Sequence, residues 1–169
     1  MSNLSTPIYS ESVMRLASPR DSDQIAKLYL ESAREQGVES YVSQKISIRI
    51  RELITSQEVV FIVGGEQISA PISAVASIHF RQNVWKNSLI AQIEDVYVSP
   101  SERQQGYGRA IMTRALELIQ SYGAEISSLA VNENNCNALN LYKALGFKNS
   151  HPSSWQGGQE LALTLFHKI

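Results

Sequence analysis

Arg103-Gln104-Gln105-Gly106-Tyr107-Gly108-Arg109 follows an apolar stretch that ends in Val96-Tyr97-Val98, and it leads into a segment of helical periodicity. Strand, short loop, paired glycines and helix together make an arrangement that binds anions. The first-turn N–H groups of a helix lack intrahelical partners, and the aligned peptide dipoles add partial positive charge there. Gly106 and Gly108 remove side chains that would hold a ligand off the backbone, so the loop can wrap a pyrophosphate. Arg103 and Arg109 offer guanidinium groups for charge-assisted contacts. Two nucleotide motifs are excluded. A Walker loop needs G-K-[ST], but Arg109-Ala110 follows Gly108; the dinucleotide fingerprint needs a third glycine where Ile111 stands.

Other reactive side chains are scattered. His79, His151 and His167 lack metal-ligand spacing and have no neighbouring cysteine or paired histidine, so no metal site is expected. Cys136, the lone cysteine, sits near a helix start where a thiol is activated, yet nothing pairs with it. Tyr41, Trp85 and Trp155 are isolated aromatics, suited to packing or to an acceptor pocket.

The elements that must position these residues fit in one domain. The chain has 169 residues, near the usual length of roughly 150 per domain. It is 43% hydrophobic and 18% charged, which disfavours disorder. Fifteen basic and 16 acidic residues give a net charge of −1, which argues against a nucleic-acid partner held by overall charge. A single cysteine excludes an internal disulfide framework and fits a reducing, cytoplasmic compartment. The first 14 residues hold no Lys or Arg and no apolar run, so no signal peptide is expected. The longest apolar run, Val59–Val63, is too short to cross a membrane.

Residues 1–12 read as a frayed end, and Val13–Leu16 as a short strand. Asp21 with Gln24 reads as a capping box for a first helix bearing Ile25, Leu28 and Tyr29. Val42, Ile46, Ile50 and Leu53 mark a second helix. Val59–Val63 is a strand stopping at the hairpin signal Gly64-Gly65, and Pro71 makes the early part of 68–80 an edge or bulge. Strand 89–98, the helix of Ile111 to Tyr122, strand 126–131, the helix of Ala138 to Leu145 and strand 161–166 follow. The polar stretch from His151 to Ser154 reads as loop. The fold class is α/β: a mixed, mostly antiparallel sheet flanked by helices.

Arg103-x-x-Gly106-x-Gly108 resembles the R/Q-x-x-G-x-G/A pyrophosphate signature of the GNAT superfamily of acetyl-CoA-dependent N-acetyltransferases. Ile93-Glu94-Asp95-Val96-Tyr97-Val98-Ser99-Pro100 is similar to the strand feeding that loop. Asn135-x-x-Ala138-x-x-x-Tyr142-Lys143-x-x-Gly146-Phe147 resembles the second family signature. The resemblance runs from about Arg15 to Phe147. It implies a GNAT-like fold whose central strands splay at the cofactor site, and acetyl-CoA as co-substrate without a metal.

Residue by residue, the resemblance implies that Val96, Tyr97 and Val98 offer backbone to the pantetheine arm. The pyrophosphate would lie on Arg103, Gln104, Gln105, Gly106, Tyr107, Gly108 and Arg109. Asn135 matches a position whose amide reaches the pantetheine, and it equally suits a helix cap. Tyr142 matches the general acid, although its helical spacing from Ala138 and Leu145 alone reads as core. For the general base, some relatives carry a carboxylate where this chain has Ala130, so Glu94 and Asp95 are the candidates. Alternation groups Glu94 with Val96 and Val98, which favours Glu94; a strand bulge would favour Asp95. The acceptor implied is a primary amine of a small molecule or protein, reached by direct attack, and a homodimer belongs to the family expectation. The competing function is a non-catalytic acyl-CoA-binding regulatory domain.

Overall fold

In the computed structural model, residues 13–38, 43–85, 87–149 and 160–167 are described. Tyr41, Val42, His151 to Ser154, Trp155 and residues 1–12 lie outside them. The elements in chain order are β1 (Val13–Leu16), α1 (Ser22–Glu35), α2 (Ser43–Ser56), β2 (Val60–Gly65), β3 (Ala74–Gln82) and β4 (Leu89–Val98). They continue with α3 (Tyr107–Ser121), β5 (Ala124–Asn132), α4 (Cys136–Ala144), β6 (Lys148–Asn149) and β7 (Glu160–Phe166). Seven strands form one sheet in the order β1-β2-β3-β4-β5-β7-β6. Every neighbouring pair is antiparallel except β4 and β5, which are parallel. The mixed, mostly antiparallel sheet is as the sequence indicated.

Two apolar layers cover the sheet. On one side Ile111, Met112, Ala115 and Ile119 of α3, with Leu139 and Tyr142 of α4, pack on Ile78, Ala91, Ile93, Leu129 and Leu163. On the other, Ile25, Ala26 and Leu28 of α1 and Ile50 of α2 pack on Phe61, Val63 and Val75. Helical stripes at 3.6-residue spacing meet strand faces at a spacing of two, which is why both layers close.

Three local expectations change. Gly64 and Gly65 are the last two residues of β2, paired with β1, and not the turn itself. A Cβ on Gly64 would stand 2.3 Å from Met14 Sδ, and one on Gly65 2.8 Å from the Pro71 carbonyl oxygen. These glycines therefore answer close approach, and the hairpin turns later. Asp21 and Gln24 form no capping box. The Asp21 carboxylate accepts from the Ser18 N–H (2.7 Å) and from Arg15, while Gln24 Oε1 accepts from the Ile72 N–H (2.9 Å). The short strand β6 was unforeseen: two residues carry too little pattern to register.

Candidate active site

β4 and β5 pair only from Leu89–Ile93 against Ala124–Leu129. Past Ile93 they part: β4 follows β3 to Val98, and β5 follows β7 to Asn132. The divergence leaves a cleft bounded by two unpaired strand edges. Its β4 edge has a definite pattern. Ser99 N–H donates to the Ser73 carbonyl at 2.8 Å, next to the Val98–Ala74 pair. Antiparallel ladders alternate, so Val98 and Val96 turn their N–H and C=O groups away from β3 and into the cleft. Tyr97 points its groups at β3.

The loop beyond β4 is a single 3₁₀ turn, Pro100–Glu102, followed by Gln104 at φ 64° and Gly106 at φ 90°. Those left-handed conformations turn the chain sharply into α3. Among the described residues, no backbone carbonyl accepts from the N–H groups of Gln104 to Arg109; the first bond of the helix runs from Ala110 to the Gly106 carbonyl. Six consecutive amides without backbone acceptors, at the positive end of a 15-residue helix, suit an anion. A Cβ on Gly106 would meet nothing within 4 Å, so the space before the loop is open. Gly108 differs: a Cβ there would stand 3.4 Å from Leu141 Cδ2, so this glycine admits α4 beside α3.

The Arg103 guanidinium already has protein partners. Its Nη2 donates to both carboxylate oxygens of Glu35 on α1 (2.9 and 2.8 Å), and its Nε donates to the Val98 carbonyl (3.0 Å). The guanidinium also lies over the Tyr97 ring, 5.4 Å from its centroid. The Tyr97 hydroxyl donates to the same Glu35, and burial with that bond raises its pKa. Arg103 thus joins the loop to α1, a role the sequence motif did not suggest.

β3 and β4 shift register where Ser77 opposes Asp95 and Ile78 opposes Ile93, which leaves Glu94 as the extra residue of a bulge. The alternation that favoured Glu94 is interrupted at that residue. Asp95 Oδ2 accepts from the Tyr29 hydroxyl (2.8 Å) and from Ser77 Oγ (2.9 Å), and Ser77 Oγ accepts from the Asp95 N–H (3.1 Å). Burial, and then the Asp95 charge, push the Tyr29 phenol well above its ordinary value, so it remains a donor. Asp95, Tyr29 and Ser77 border a cavity of about 350 Å³ between α1, α2 and the sheet, with His79, Phe61, Val59 and five α2 residues as the other walls. Glu94 is exposed and does not line it.

Tyr142 arrives from the opposite layer. It is 7% exposed, its ring tilted against Phe147, and burial raises its pKa to about 12. Its hydroxyl has no hydrogen-bond partner among the described residues. It is also not sealed in, since Ser88 Oγ alone is both buried and unpartnered among them. The phenol therefore opens on accessible space with its proton retained. Asn135 caps α4, its side-chain oxygen accepting from the Ala138 N–H at 3.2 Å, which leaves its NH₂ free.

Cys136 is exposed and unpaired. Trp85 is 93% exposed at the β3–β4 turn and does not line that cavity, and His167 bonds Ser127 Oγ and Gln120. Arg49, Lys45 and His79, which line the cavity, carried no sequence signal; only the packing of α2 against α1 and β2 brings the helix residues beside the sheet.

A sheet splayed at its one parallel pair, with a backbone anion cradle at the opening, is the architecture of the acyl-CoA-handling acetyltransferases. The Acetyltransferase (GNAT) family profile matches residues 23–147, and the chain belongs to that family. A bovine (Bos taurus) thialysine N-epsilon-acetyltransferase is 40% identical over 68 residues, 40% of this chain and 39% of that protein. The chain spans less than half the length of the curated relatives it matches. A candidate acetyltransferase from Arthrobacter sp. FB24 superposes with TM-score 0.73 at 27% identity, covering 93% of this chain and 96% of that one. Another, from Salmonella typhimurium and solved with its cofactor acetyl-CoA, gives TM-score 0.72 at 15% identity over 92% and 93% of the chains. At that identity the likeness is one of fold. No helix among the described residues is long and apolar enough to cross a membrane.

Proposed function

We propose that the protein transfers an acetyl group from acetyl-CoA to a primary amine by direct attack. The observation that carries this is the junction of two sites at one bulge. The cleft, with its Val96 backbone groups, Val98 N–H and open amide cradle, lies on one side of β4, and the cavity bordered by Asp95 lies on the other. The relatives' names and the family support the same chemistry.

The residues fit acetyl-CoA. Val96 and Val98 would pair with the amides of its pantetheine arm, the N–H groups of Gln104 to Arg109 would hold the pyrophosphate, and the Asn135 NH₂ would donate to the arm. Acetyl-CoA, when bound, supplies a thioester-activated acetyl group. The chain's own residues manage protons. Asp95 is the base we favour: its Oδ2 is fixed by Tyr29 and Ser77, and its other oxygen, which accepts no hydrogen bond among the described residues, would hold an ammonium and take its proton. Glu94, exposed on the bulge beside it, is the alternative base acting through water. Tyr142 keeps its proton at neutral pH and can give it to the departing sulfur.

Release of free thiol from acetyl-CoA over a panel of primary amines tests this. Amine-dependent release is expected; acetyl-CoA binding with no release above background would make the protein a regulatory acyl-CoA-binding domain.

A further inference from the structure

The cavity beside Asp95 is lined mostly by apolar surface, with charged residues at its border on both the sheet and the α2 sides. Its sheet end presents Asp95, held by Tyr29 and Ser77. Its α2 wall presents Lys45 and Arg49, one helical turn apart, on the same side as Ile46, Ile50 and Leu53, which line it too. Lys45 has no ion-pair partner among the described residues. Arg49 has only Glu52, at 3.4 Å, with both side chains about 60% exposed, an arrangement that holds a guanidinium weakly. Ile46, Ile50, Leu53, Val59 and Phe61 supply the cavity's apolar wall. At about 350 Å³ the cavity is at the small end of ligand sites, which run roughly 300–1,000 Å³.

From this we infer that the acceptor is an amine carrying an acidic group at the far end of a short aliphatic spacer, an ω-amino acid in the broad sense. The ammonium lies at Asp95, the spacer along the apolar wall, and the acid group at Lys45 and Arg49. A diamine of equal length fits worse, because its second cation meets two cations. The assignment of the amine end rests on the acetyltransferase reading; the charge polarity of the cavity does not.

The test is calorimetric titration of the full chain at saturating CoA with 6-aminohexanoate, 1,6-diaminohexane and hexylamine, repeated on Lys45→Ala/Arg49→Ala. The protein should bind 6-aminohexanoate at least tenfold more tightly than the diamine, and the double variant should bring that ratio near unity, hexylamine serving as the reference for an intact cavity. Equal or tighter binding of the diamine, or a ratio indifferent to the double substitution, overturns the inference. Thiol release with the same amines separates the two readings. Preferential binding of the amino acid without turnover upholds the cavity's polarity and sinks the transferase, whereas turnover favouring the diamine does the reverse.

Discussion

Arg103 grips both carboxylate oxygens of Glu35, at 2.9 and 2.8 Å, and so ties the loop below β4 to the end of α1, the helix that also carries Tyr29. The bond spans the two sites that the proposed reaction needs together. Both side chains are about two-fifths exposed, so the pair itself stabilises the fold by about 1 kcal/mol or less. Arg103→Ala should therefore shift a denaturant midpoint only slightly. Its larger effect should be on acceptor KM, through the position of α1, with acetyl-CoA affinity moving less than threefold. A loss of acetyl-CoA affinity of tenfold or more would instead place Arg103 on the pyrophosphate.

Gly106 is the loop residue whose replacement should hurt cofactor binding most. Its φ of 90° strains a β-branched residue by roughly 1–2 kcal/mol, and any side chain enters the open space before the amides. Gly106→Asn, which tolerates the left-handed conformation, should fold normally and bind acetyl-CoA at least tenfold more weakly by calorimetry. Gly108→Ala, whose Cβ turns toward Leu141, should lose less affinity. Equal losses at the two positions would contradict the cradle.

Tyr142→Phe should keep acetyl-CoA binding and lower kcat by about 10²–10⁴-fold, the usual cost of a lost general acid. A kcat near wild type would return Tyr142 to the core. Burial sets the pH behaviour. The folded pKa near 12 exceeds the unfolded value near 10, so the native state keeps a proton the unfolded chain gives up. The stability from this group is complete below pH 10 and falls away as pH rises toward 12. Alkaline denaturation curves should be shallower over that window for Tyr142→Phe.

Asp95→Asn preserves acceptors for Tyr29 and Ser77 but removes the charge. If Asp95 takes the amine's proton, kcat/KM should fall at least 100-fold near pH 7 and recover in part as alkaline buffer deprotonates the amine. Glu94→Gln should cost less, since Glu94 stands outside the cavity. Reversal of that order would restore Glu94 as the base.

Asp21, 6% exposed, accepts from Arg15 at 2.8 Å through each oxygen and from Ser18, and chiefly the Arg15 bond lowers its pKa to about 2. The folded value lies below the unfolded one near 3.8, so its stabilisation, about 2 kcal/mol, is present above pH 4 and lost as pH falls toward 2. Urea midpoints from pH 5 to 2 should show this slope, and Asp21→Asn should lack it.

Periodicity and glycine placement alone determined most of the elements and the anion loop, because helix stripes, β-branched runs and turn glycines are local chemistry. The second signature likewise marked Asn135 and Tyr142 before any fold existed. Local chemistry stops where partners are distant in sequence. Arg103 was legible as a cation beside a phosphate loop, but Glu35, 68 residues away, decides where its charge goes. Alternation along β4 ranked Glu94 above Asp95, yet the register against Ser77 and Ile78 of β3 makes Glu94 the bulged residue. Lys45 and Arg49 were ordinary helix-surface cations until α2 packed against α1 and β2. Strand register and helix docking are settled by burial across the whole core, and no window of neighbouring residues contains that information.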